Sequence, residues 1–463
     1  MLIHKPTGLR FKNPKPWTHQ LEAVKFLAEH CAAALYTKPG SGKTRVFLDL
    51  IKNKGWKRGL VIATKNVCEG QVWEHNASLF APSIRTVNLG GVSGSKKPEL
   101  YAKAKTGSAS ALVVVINYES VWREPFRSII LKEKWDFVIC DESHRIKTPG
   151  SKVSKFMTLL GRRVPNRYLC TGTPLYSSPE DVYAQYRYCD PTIFGTNLGD
   201  FRKQYENIDE YRTKQTGYRV LDKKNPYINQ DELTEKLMSI AYCVDVDLSL
   251  PPVTHVNFEY TVSAEIQKHL KTLKQEHYIE TRDGIMTVEA ALTMFGTRQQ
   301  LMSGYVKIDD KLTQVTDERF QVLYRLLEDL GDDPVIIFAR YRAEINAIKA
   351  ALGKNALELS GKCNELLAWQ KGKAQYLIVQ PQSGAEGVDM TRAHYAVYFS
   401  KMPSYGLYEQ SLKRLDRPGQ KHPICYYHIV GKLKAGASVD EEILRSHQLK
   451  QDVIDYIMWN PME

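Results

Sequence analysis

The stretch Lys38-Pro-Gly-Ser-Gly-Lys-Thr44 decides how this chain is expected to fold. It follows a short apolar run from Cys31 to Tyr36, and a helical pattern from Arg45 to Ile51 comes directly after it. A strand, a glycine-rich turn and a helix in this order form a cradle for phosphate, because the N–H groups of the turn and the positive end of the helix dipole face an anion. Gly40 and Gly42 would let the backbone approach the phosphate oxygens without an intervening Cβ.

The side chains of this loop predict a nucleotide site. Lys43 is placed to reach the β- and γ-phosphates, and the hydroxyl of Thr44 to ligate Mg²⁺. Thr37 stands where the strict G-x-x-x-x-G-K-[ST] pattern has its first glycine, so the match is incomplete. The alternative is an ordinary glycine turn before a surface helix. The choice depends on whether later segments supply a metal carboxylate, a base and a charge-stabilising arginine.

The composition is that of a globular protein with a basic charge balance. The length of 463 residues predicts two domains. An excess of 64 Lys+Arg over 52 Asp+Glu gives a net charge of +12, which favours nucleic acid as a partner, although such charge can also serve solubility alone. The eight cysteines form no C-x-x-C pair, so no zinc finger is expected. The sequence shows no apolar signal core and no membrane-length apolar run, and it therefore predicts a soluble, cytoplasmic protein without membrane association.

Two carboxylates follow the apolar strand pattern Phe137-Val-Ile-Cys140, in the stretch Asp141-Glu-Ser-His144. In nucleotide hydrolysis, Asp141 would hold Mg²⁺ and Glu142 would orient and deprotonate the attacking water. His144 would sense the γ-phosphate or couple the site to the rest of the molecule. A strand that simply ends in a polar turn is the alternative, and the upstream phosphate loop argues against it.

The segment from Arg145 to Arg167 carries seven basic residues and no acidic one. It forms either a solvated face or a contact surface for phosphates, and the two are about equally expected. A strand pattern then leads into Thr171-Gly-Thr-Pro174, whose two threonine hydroxyls could relay the nucleotide state to a bound polymer.

Gln20 lies at the start of a helical pattern just before the phosphate loop. Its amide can both donate and accept hydrogen bonds, as reading an adenine ring requires. Without the loop behind it, a surface glutamine would be the better interpretation.

Strands that alternate with helices occur in both halves of the chain. This predicts an α/β protein made of two doubly wound parallel-sheet domains. Residues 90–107 are expected to form a surface loop, and the segments at about 200–245 and 263–315 are expected to be helical. Only the first half has a phosphate loop, so the second would contribute a face to the same nucleotide.

That face is predicted in the segment Gln410 to Gln420. Arg414 and Arg417 are three residues apart and would share one side of a helix. Planar guanidinium groups can bracket a transferring phosphoryl group as arginine fingers.

Taken in order, these motifs resemble the superfamily-two helicases, and specifically their SWI/SNF-like branch of DNA-dependent ATPases, in a compact bacterial or bacteriophage form. The matching stretches are His19-Gln20, Gly40-Ser-Gly-Lys-Thr44, Asp141-Glu-Ser-His144 with Arg145-Ile-Lys147, Thr171-Gly-Thr-Pro174, Ser383-Gly-Ala-Glu-Gly387 and Gln410 through Gln420. The chain departs from the family pattern at Ser143, Asp389 and Lys413.

The resemblance implies two RecA-like lobes with ATP and Mg²⁺ in the cleft between them and DNA across both. The lobes would span residues 1–248, with a helical protrusion at about 200–245, and 249–463, with a protrusion at about 263–315 and a brace helix at about 438–458. The roles that it implies are nucleotide binding by Gln20, Gly40, Ser41, Gly42, Lys43, Thr44 and Gly387, and metal binding by Thr44 and Asp141. Catalysis would rest on Lys43, Glu142, Arg414 and Arg417, and coupling or DNA contact on His144, Lys147, Thr171, Thr173, Ser383 and Gln410.

Three functions fit these residues. The first is an ATP-driven translocase on duplex or forked DNA in replication, repair or recombination. The second is a helicase that separates strands or migrates branches, which needs a wedge that the sequence does not identify. The third is a nucleotide-dependent DNA-binding switch with little turnover, and Glu142 with the two arginines argues against it.

Overall fold

The computed structural model describes residues 15–106, 109–176, 178–216, 219–222, 225–244, 250–276, 278–281, 284–287, 291–308, 311–384 and 388–459. The chain divides into two compact units. One comprises Met1–Val246 and Ile454–Glu463, and the other Asp247–Val453.

The first unit is built on a sheet of seven strands, every neighbouring pair of which is parallel. The strands are β1 (Ala32–Thr37), β2 (Arg58–Ala63), β3 (Ile84–Asn88), β4 (Ala111–Asn117), β5 (Phe137–Asp141), β6 (Asn166–Thr171) and β7 (Ala241–Val244). Their order across the sheet is β3-β4-β2-β5-β6-β1-β7. In β4, every residue is buried, as expected of a parallel strand covered on both faces.

Helices cover this sheet and connect its strands. They are α1 (Thr18–Glu29), α2 (Lys43–Lys54), α3 (Lys65–Glu69), α4 (Val72–Phe80), α5 (Lys97–Lys105), α6 (Tyr118–Val121), α7 (Phe126–Lys132), α8 (Lys152–Gly161), α9 (Glu180–Cys189), α10 (Pro191–Phe194), α11 (Leu198–Tyr205), α12 (Glu210–Thr216) and α13 (Gln230–Met238). Single 3₁₀ turns occur at Gly94–Lys96 and Ser143–Ile146. The apolar side of α2 packs on the sheet through Phe47 and Leu50, both fully buried.

The second unit repeats the architecture with a six-stranded parallel sheet and two small hairpins. Its strands are β8 (Val253–Thr261), β9 (Tyr278–Thr281), β10 (Gly284–Thr287), β11 (Tyr305–Ile308), β12 (Lys311–Gln314), β13 (Val335–Phe338), β14 (Ala356–Leu359), β15 (Tyr376–Val379), β16 (Tyr395–Tyr398) and β17 (Ile424–Lys432). The main sheet runs β14-β15-β13-β16-β17-β8, while β9 pairs with β10 and β11 with β12, both antiparallel.

Both faces of the second sheet are buried. In β13, Ile337 packs into one apolar cluster, whereas Ile336 and Phe338 pack into another on the opposite face. The helices that supply these clusters and the rest of the unit are α14 (Ala264–Glu276), α15 (Ala291–Met302), α16 (Glu318–Asp329), α17 (Arg342–Leu352), α18 (Leu366–Gln370), α19 (Pro381–Gly384), α20 (Tyr405–Leu412) and α21 (Val439–Trp459), with a 3₁₀ turn at Gly353–Asn355. The two parallel-sheet units confirm the predicted fold class of tandem RecA-like α/β domains.

Two local expectations are wrong, and a third is incomplete. Residues 90–107 are not a loop throughout, because α5 occupies Lys97–Lys105 and buries Tyr101 and Ala104. The segment 263–315 contains helices α14 and α15 as expected, but it also contains two hairpins. The expected helix to Gly419 ends at Leu412, and the residues after it form turns.

The ends of the other two predicted segments are also informative. The helical segment at about 200–245 contains α11, α12 and α13, but its last described residues form β7, which joins the main sheet beside β1. The brace helix predicted at about 438–458 is present as α21. None of the helices in the described ranges has the length and apolar character needed to cross a membrane.

Candidate active site

The glycine-rich loop connects the end of β1 to the start of α2. Gly40 and Gly42 have φ angles of 88° and 83°, in the left-handed region that favours glycine. The Lys43 ammonium donates to the carbonyl oxygens of Thr37 at 2.9 Å and Lys38 at 3.2 Å. Lys43 Nζ therefore lies on the inner side of the loop, where the predicted phosphate would bind.

Thr37 takes the place of the missing first glycine without strain. Its side chain is almost fully buried, and its hydroxyl lies 2.6 Å from the hydroxyl of Ser41 across the loop. This hydrogen bond joins the two ends of the segment from Thr37 to Ser41, so the threonine stabilises the turn of the loop.

Gln20 is held against the same loop. Its side-chain oxygen accepts from the main-chain N–H of Trp17 at 3.0 Å, and its amide nitrogen donates to the main-chain carbonyl of Ser41 at 3.0 Å. A Cβ added to Gly42 would lie 2.2 Å from that amide nitrogen, so this glycine is required for the close approach. The amide thus ties α1 to the loop, and its contact with adenine stays a prediction.

Asp141 ends β5 in a buried position beside the loop. Its carboxylate oxygen Oδ2 accepts from the indole N–H of Trp73 at 2.9 Å, and its main-chain carbonyl accepts from the Tyr118 hydroxyl at 2.8 Å. Burial and the neighbouring Glu142 carboxylate raise the pKa of Asp141 to about 6, against the opposing effects of Trp73 and Lys43. A cation bound next to Asp141 would offset both the burial and the repulsion by Glu142.

Glu142 follows with a backbone that only few side chains adopt. Its φ is 56°, in the left-handed region, which is costly for a non-glycine residue and is often found at functional sites. The Thr171 hydroxyl donates to its Oε2 at 3.1 Å, and His144 Nδ1 lies 3.4 Å from the same oxygen. Desolvation opposes its ionisation, but His144, Lys43 and Thr171 outweigh it and lower the pKa of Glu142 to about 2. Glu142 is therefore expected to be ionised at neutral pH, and its carboxylate is held in place by Thr171 and His144.

The turn after β6 completes this arrangement. Because β5 and β6 are neighbours, with Asp141 opposite Cys170, the Thr171 side chain comes next to Glu142. Thr171 Oγ1 also lies 3.2 Å from His144 Nδ1 and accepts from the Thr173 N–H at 3.1 Å. Hydrogen bonds thus join the Asp141–His144 stretch to the threonine turn, as the predicted coupling between them requires.

Tyr176 was not predicted, although it follows the Thr171–Pro174 stretch closely and the position alone could have suggested it. Its ring stacks on His144 with centroids 5.3 Å apart and an interplanar angle of 18°. Lys147 Nζ lies 3.3 Å from the centre of the same ring and 3.7 Å from an Asp181 oxygen. Lys147 is therefore held by an aromatic ring and a carboxylate of its own unit.

Trp73 and Gln185 were also missed, and no sequence signal could have found them. Trp73 is 68 residues before the carboxylate that it contacts. The side chain of Gln185 is fully buried: it accepts from the Ser143 hydroxyl at 2.7 Å and donates to the main-chain oxygens of Pro174 at 2.9 Å and Asp181 at 2.8 Å. Ser143, a departure from the family pattern, thus gains a partner that links the carboxylates to the threonine turn.

In the second unit, Arg414 and Arg417 lie in the turns after α20 and not on one face of a helix, which corrects the expectation. Both are half-buried, and Arg417 donates from Nη1 to the Val388 carbonyl at 3.1 Å. Gln410 is buried on α20. Gly387 lies outside the described residues, and of Ser383 only the backbone, in α19, is described.

The structure therefore brings together Lys43, Asp141, Glu142 and Thr171 within the first unit. Thr44 is the second residue of α2, one position after Lys43. Together they combine a cationic loop, a buried carboxylate next to the loop and an ionised carboxylate held by two side chains. These are the groups that hydrolysis of a nucleoside triphosphate requires.

Comparison with known proteins agrees with this chemistry. The model of the SNF2-related domain matches residues 19–312. Protein p41 of Acyrthosiphon pisum secondary endosymbiont phage 1 is 22% identical over 472 residues, which cover 96% of this chain and 98% of p41. The ISWI chromatin-remodeling complex ATPase ISW1 of Saccharomyces cerevisiae is 24% identical over 466 residues, and the match covers 92% of this chain but 39% of ISW1.

Among solved structures, the Sulfolobus solfataricus SWI2/SNF2 ATPase core in complex with dsDNA is 15% identical, covers 91% of this chain and 90% of that one, and has a TM-score of 0.41. The resemblance to the SWI/SNF-like branch, in a compact form like that of a phage protein, is confirmed by the domain match and by p41. The chain belongs to the SNF2-related family, and it is an ATP-hydrolysing, DNA-dependent enzyme.

Proposed function

We propose that the chain is a translocase that couples ATP hydrolysis to movement along DNA. The observation that carries this proposal is Glu142, an ionised carboxylate on a left-handed backbone, held by Thr171 and His144 beside the buried Asp141. A binding switch would not need a water-orienting anion fixed in this way. Thr171 connects Glu142 to Thr173, on the turn that we expect to couple the nucleotide state to the polymer.

The residues of the first unit divide the chemistry among themselves. Lys43 and the loop N–H groups bind the β- and γ-phosphates, and Glu142 orients the attacking water. Glu142 accepts the proton of this water as its oxygen bonds to the γ-phosphorus and the bond from that phosphorus to the leaving ADP oxygen breaks. Asp141 and Thr44 would hold Mg²⁺, which neutralises charge on the phosphate oxygens, and the raised pKa of Asp141 fits a cation at this position. Gln20 would recognise the adenine ring from α1.

Arg414 and Arg417 of the second unit would complete the ATP site as arginine fingers. A planar guanidinium group can stabilise the charge that develops on the transferring phosphoryl group. If the arginines come from the second unit, hydrolysis depends on the arrangement of the two units. ATP binding and hydrolysis could then change this arrangement and so alternate the binding of each unit to a polymer.

DNA is the polymer that we propose, in duplex or forked form and in replication, repair or recombination. The net charge of +12 suits a polyanion. Contacts mostly to phosphates would give low sequence specificity. The assignment of residues 1–248 and 249–463 to two functional lobes stays a prediction, as does the cytoplasmic location.

The first test is the ATPase rate measured without polymer and with duplex DNA, single-stranded DNA or RNA, at two salt concentrations. Duplex DNA is expected to stimulate the rate most, and more strongly at low salt, because phosphate contacts are screened by salt. A rate that duplex DNA leaves unchanged at low salt contradicts the proposal. A fork-unwinding assay under the same conditions then separates a translocase from a strand-separating helicase.

Two variants assign the roles. Glu142→Gln is expected to bind ATP and to lose turnover by several orders of magnitude. Arg417→Ala is expected to lower kcat by about 10³-fold or more. Arg325→Ala removes an exposed arginine from α16 in the same unit and serves as the control, with kcat expected near that of the unchanged protein. An Arg417→Ala rate within about twofold of the control would show that Arg417 is no finger.

A further inference from the structure

A groove of about 520 Å³ lies in the second unit between α14 and the segment 433–437 that leads into α21. One wall is α14, the other is Leu433-Lys434-Ala-Gly-Ala437, and Arg298 and Glu442 stand at the side. No aromatic side chain is among the lining residues. We call it the lysine groove, after Lys268, Lys271, Lys274 and Lys434.

The charge of the lysine groove is strongly one-sided. Lys268, Lys271 and Lys274 are spaced by three residues along one side of α14, and all three are exposed. The single acidic residue of the lining, Glu442, is held by Arg298 through two hydrogen bonds of 3.0 and 2.9 Å. Within the described part of the chain, the four lysines form no ion pair, so four positive charges face the groove without a fixed counter-charge.

The wall opposite α14 is narrow and fixed in place. The Lys434 N–H donates to Gln267 Oε1 at 3.1 Å, which joins this wall to α14. Gly436 has a φ of 79°, and a Cβ at this position would meet no atom within 4 Å. Ala435 and Ala437 flank it, so small side chains leave the groove accessible to a bulky chain such as a polynucleotide backbone.

We propose that the lysine groove binds the phosphate backbone of DNA, as a grip separate from the residues that respond to ATP; this inference rests on the proposed function. Lys268 and Lys274 are six residues apart, which is about 9 Å along a helix. A DNA strand presents a phosphate about every 3.4 Å of its axis, so the row can reach two or three phosphates. Lysine ammonium groups bind phosphate as point charges, and without aromatic side chains the groove offers nothing for stacking on bases.

A grip of this kind raises affinity and leaves the chemistry unchanged. The groove contains none of the residues assigned to the ATP site. Loss of the lysines is therefore expected to increase the DNA concentration needed for half-maximal stimulation, while basal ATPase activity and the maximal stimulated rate stay the same.

The experiment compares the full chain with the triple variant Lys268→Gln, Lys271→Gln, Lys274→Gln. Binding of a fluorescent duplex of about 30 base pairs is measured between about 50 and 200 mM salt, together with the stimulation of ATPase activity. The slope of log affinity against log salt is expected to fall by as much as about 2.7, from about 0.9 for each lost phosphate contact. Lys434→Gln alone is expected to lower the slope by about 0.9 or less.

The control is the triple variant Lys354→Gln, Lys371→Gln, Lys373→Gln, which removes the same charge from exposed positions of the same unit. These lysines precede β14 and β15, at the end of the sheet opposite to its carboxyl edge. Their removal is expected to change the slope by much less. Melting temperatures of both triple variants check that each is folded.

The outcomes separate the two proposals. If the unchanged protein neither binds the duplex nor is stimulated by it, the proposed function fails, and the groove proposal with it. If the unchanged protein is stimulated but the groove variant binds with the same slope, or the control variant loses as much, the groove proposal alone is overturned. A groove variant that loses binding of polyglutamate but keeps DNA binding would assign the groove to an acidic protein partner and would also overturn it.

Discussion

The carboxyl edges of the two parallel sheets have the same architecture but use their polar residues differently. At the first edge, Asp141 and Glu142 are held by side chains from several elements and lie near enough to interact with the charge of Lys43 in the phosphate loop. At the second edge, the buried Glu344 accepts from the Ser400 hydroxyl at 2.7 Å and from the Arg340 N–H at 2.9 Å. These bonds connect α17 with the ends of β13 and β16.

The difference teaches that one edge is arranged for chemistry and the other for holding a unit together. Three further buried ionisable groups lie near the second edge. Arg319 on α16 pairs with Asp440 at the start of α21, and Lys401 follows β16 with its ammonium donating to the Ile429 carbonyl at 2.9 Å. Variants of the first edge should therefore act mainly on the reaction, and variants of the second edge should act mainly on stability.

The largest effect is expected for Asp440→Ala. The Arg319 guanidinium is almost fully buried and also donates to the Phe399 carbonyl, so removal of Asp440 leaves a buried charge without its counter-ion. The free energy of unfolding is expected to fall by about 3–5 kcal/mol, measured by urea denaturation and by hydrogen exchange of α21 amides.

Two companion variants test the cause of this loss. Glu442 is on the same helix as Asp440 and forms an exposed ion pair with Arg298 of α15. Glu442→Ala breaks this pair and should lower the free energy of unfolding by about 1 kcal/mol or less. Arg319→Met combined with Asp440→Leu removes both charges and should recover most of the stability. A double variant as unstable as Asp440→Ala would show that the buried charge is not the reason.

A smaller effect, dependent on pH, is expected for Lys401→Met. Burial lowers the pKa of Lys401 to about 7. The like charge of Arg319 also lowers it, whereas the negative charge of Asp440 raises it. His428 and His447 lie near enough to interact with Lys401. A lysine whose pKa is lower in the folded state destabilises the fold fully below about pH 7, and this penalty disappears as the pH rises towards the unfolded value of 10.5.

Lys401→Met should therefore raise the melting temperature at pH 7 more than at pH 9. The difference in unfolding free energy between the variant and the unchanged protein should shrink by roughly 2–3 kcal/mol over those two pH units. Thermal denaturation at pH 7, 8 and 9 measures it. A difference that does not change with pH would mean that Lys401 keeps an ordinary pKa in the folded protein.

The smallest effect is expected for Trp73→Phe at the first edge. The variant keeps an aromatic ring but removes the N–H that donates to Asp141 Oδ2. If Asp141 holds Mg²⁺ as proposed, loss of a bond that orients this ligand typically costs about 10–100-fold in metal affinity or activity, and the Mg²⁺ concentration for half-maximal ATPase activity should rise by about that factor.

Trp135→Phe is a matched control for this variant. Trp135 is also buried, and its indole N–H donates to the Ile130 carbonyl at 2.9 Å, but it precedes β5 at the end opposite to Asp141. Both variants should lose a similar amount of stability, and only Trp73→Phe should change the Mg²⁺ dependence. Equal Mg²⁺ curves would contradict the role of Trp73 and weaken the comparison of the two edges.

The sequence allowed the first edge to be predicted far better than the second. Lys43, Asp141, Glu142 and Thr171 lie in short motifs, because each motif follows a strand of one parallel sheet and the carboxyl ends of such strands meet at one edge. Their roles in catalysis still await the experiments above, but their proximity follows from the topology.

What could not be predicted depends on single residues far apart in the chain. Trp73 and Gln185 belong to no motif, and Arg319 and Asp440 are separated by 121 residues. The sequence predicts helix where turns hold Arg414 and Arg417, because a spacing of three residues suits a helix and the pattern does not show that α20 ends at Leu412. Local periodicity predicts elements, but only tertiary packing decides where they stop.

The position of β7 at the edge of the first sheet has a structural consequence. Its last residue, Val244, is paired with Thr37, the residue from which the phosphate loop begins, and the chain then continues into the second unit. The end of α21, a helix that starts in the second unit, returns to the same strand, where Cys243 Sγ lies 4.0 Å from the Met458 carbonyl oxygen. Both covalent connections between the units therefore end at β7, and β7 is paired with β1, the strand that leads into the nucleotide loop.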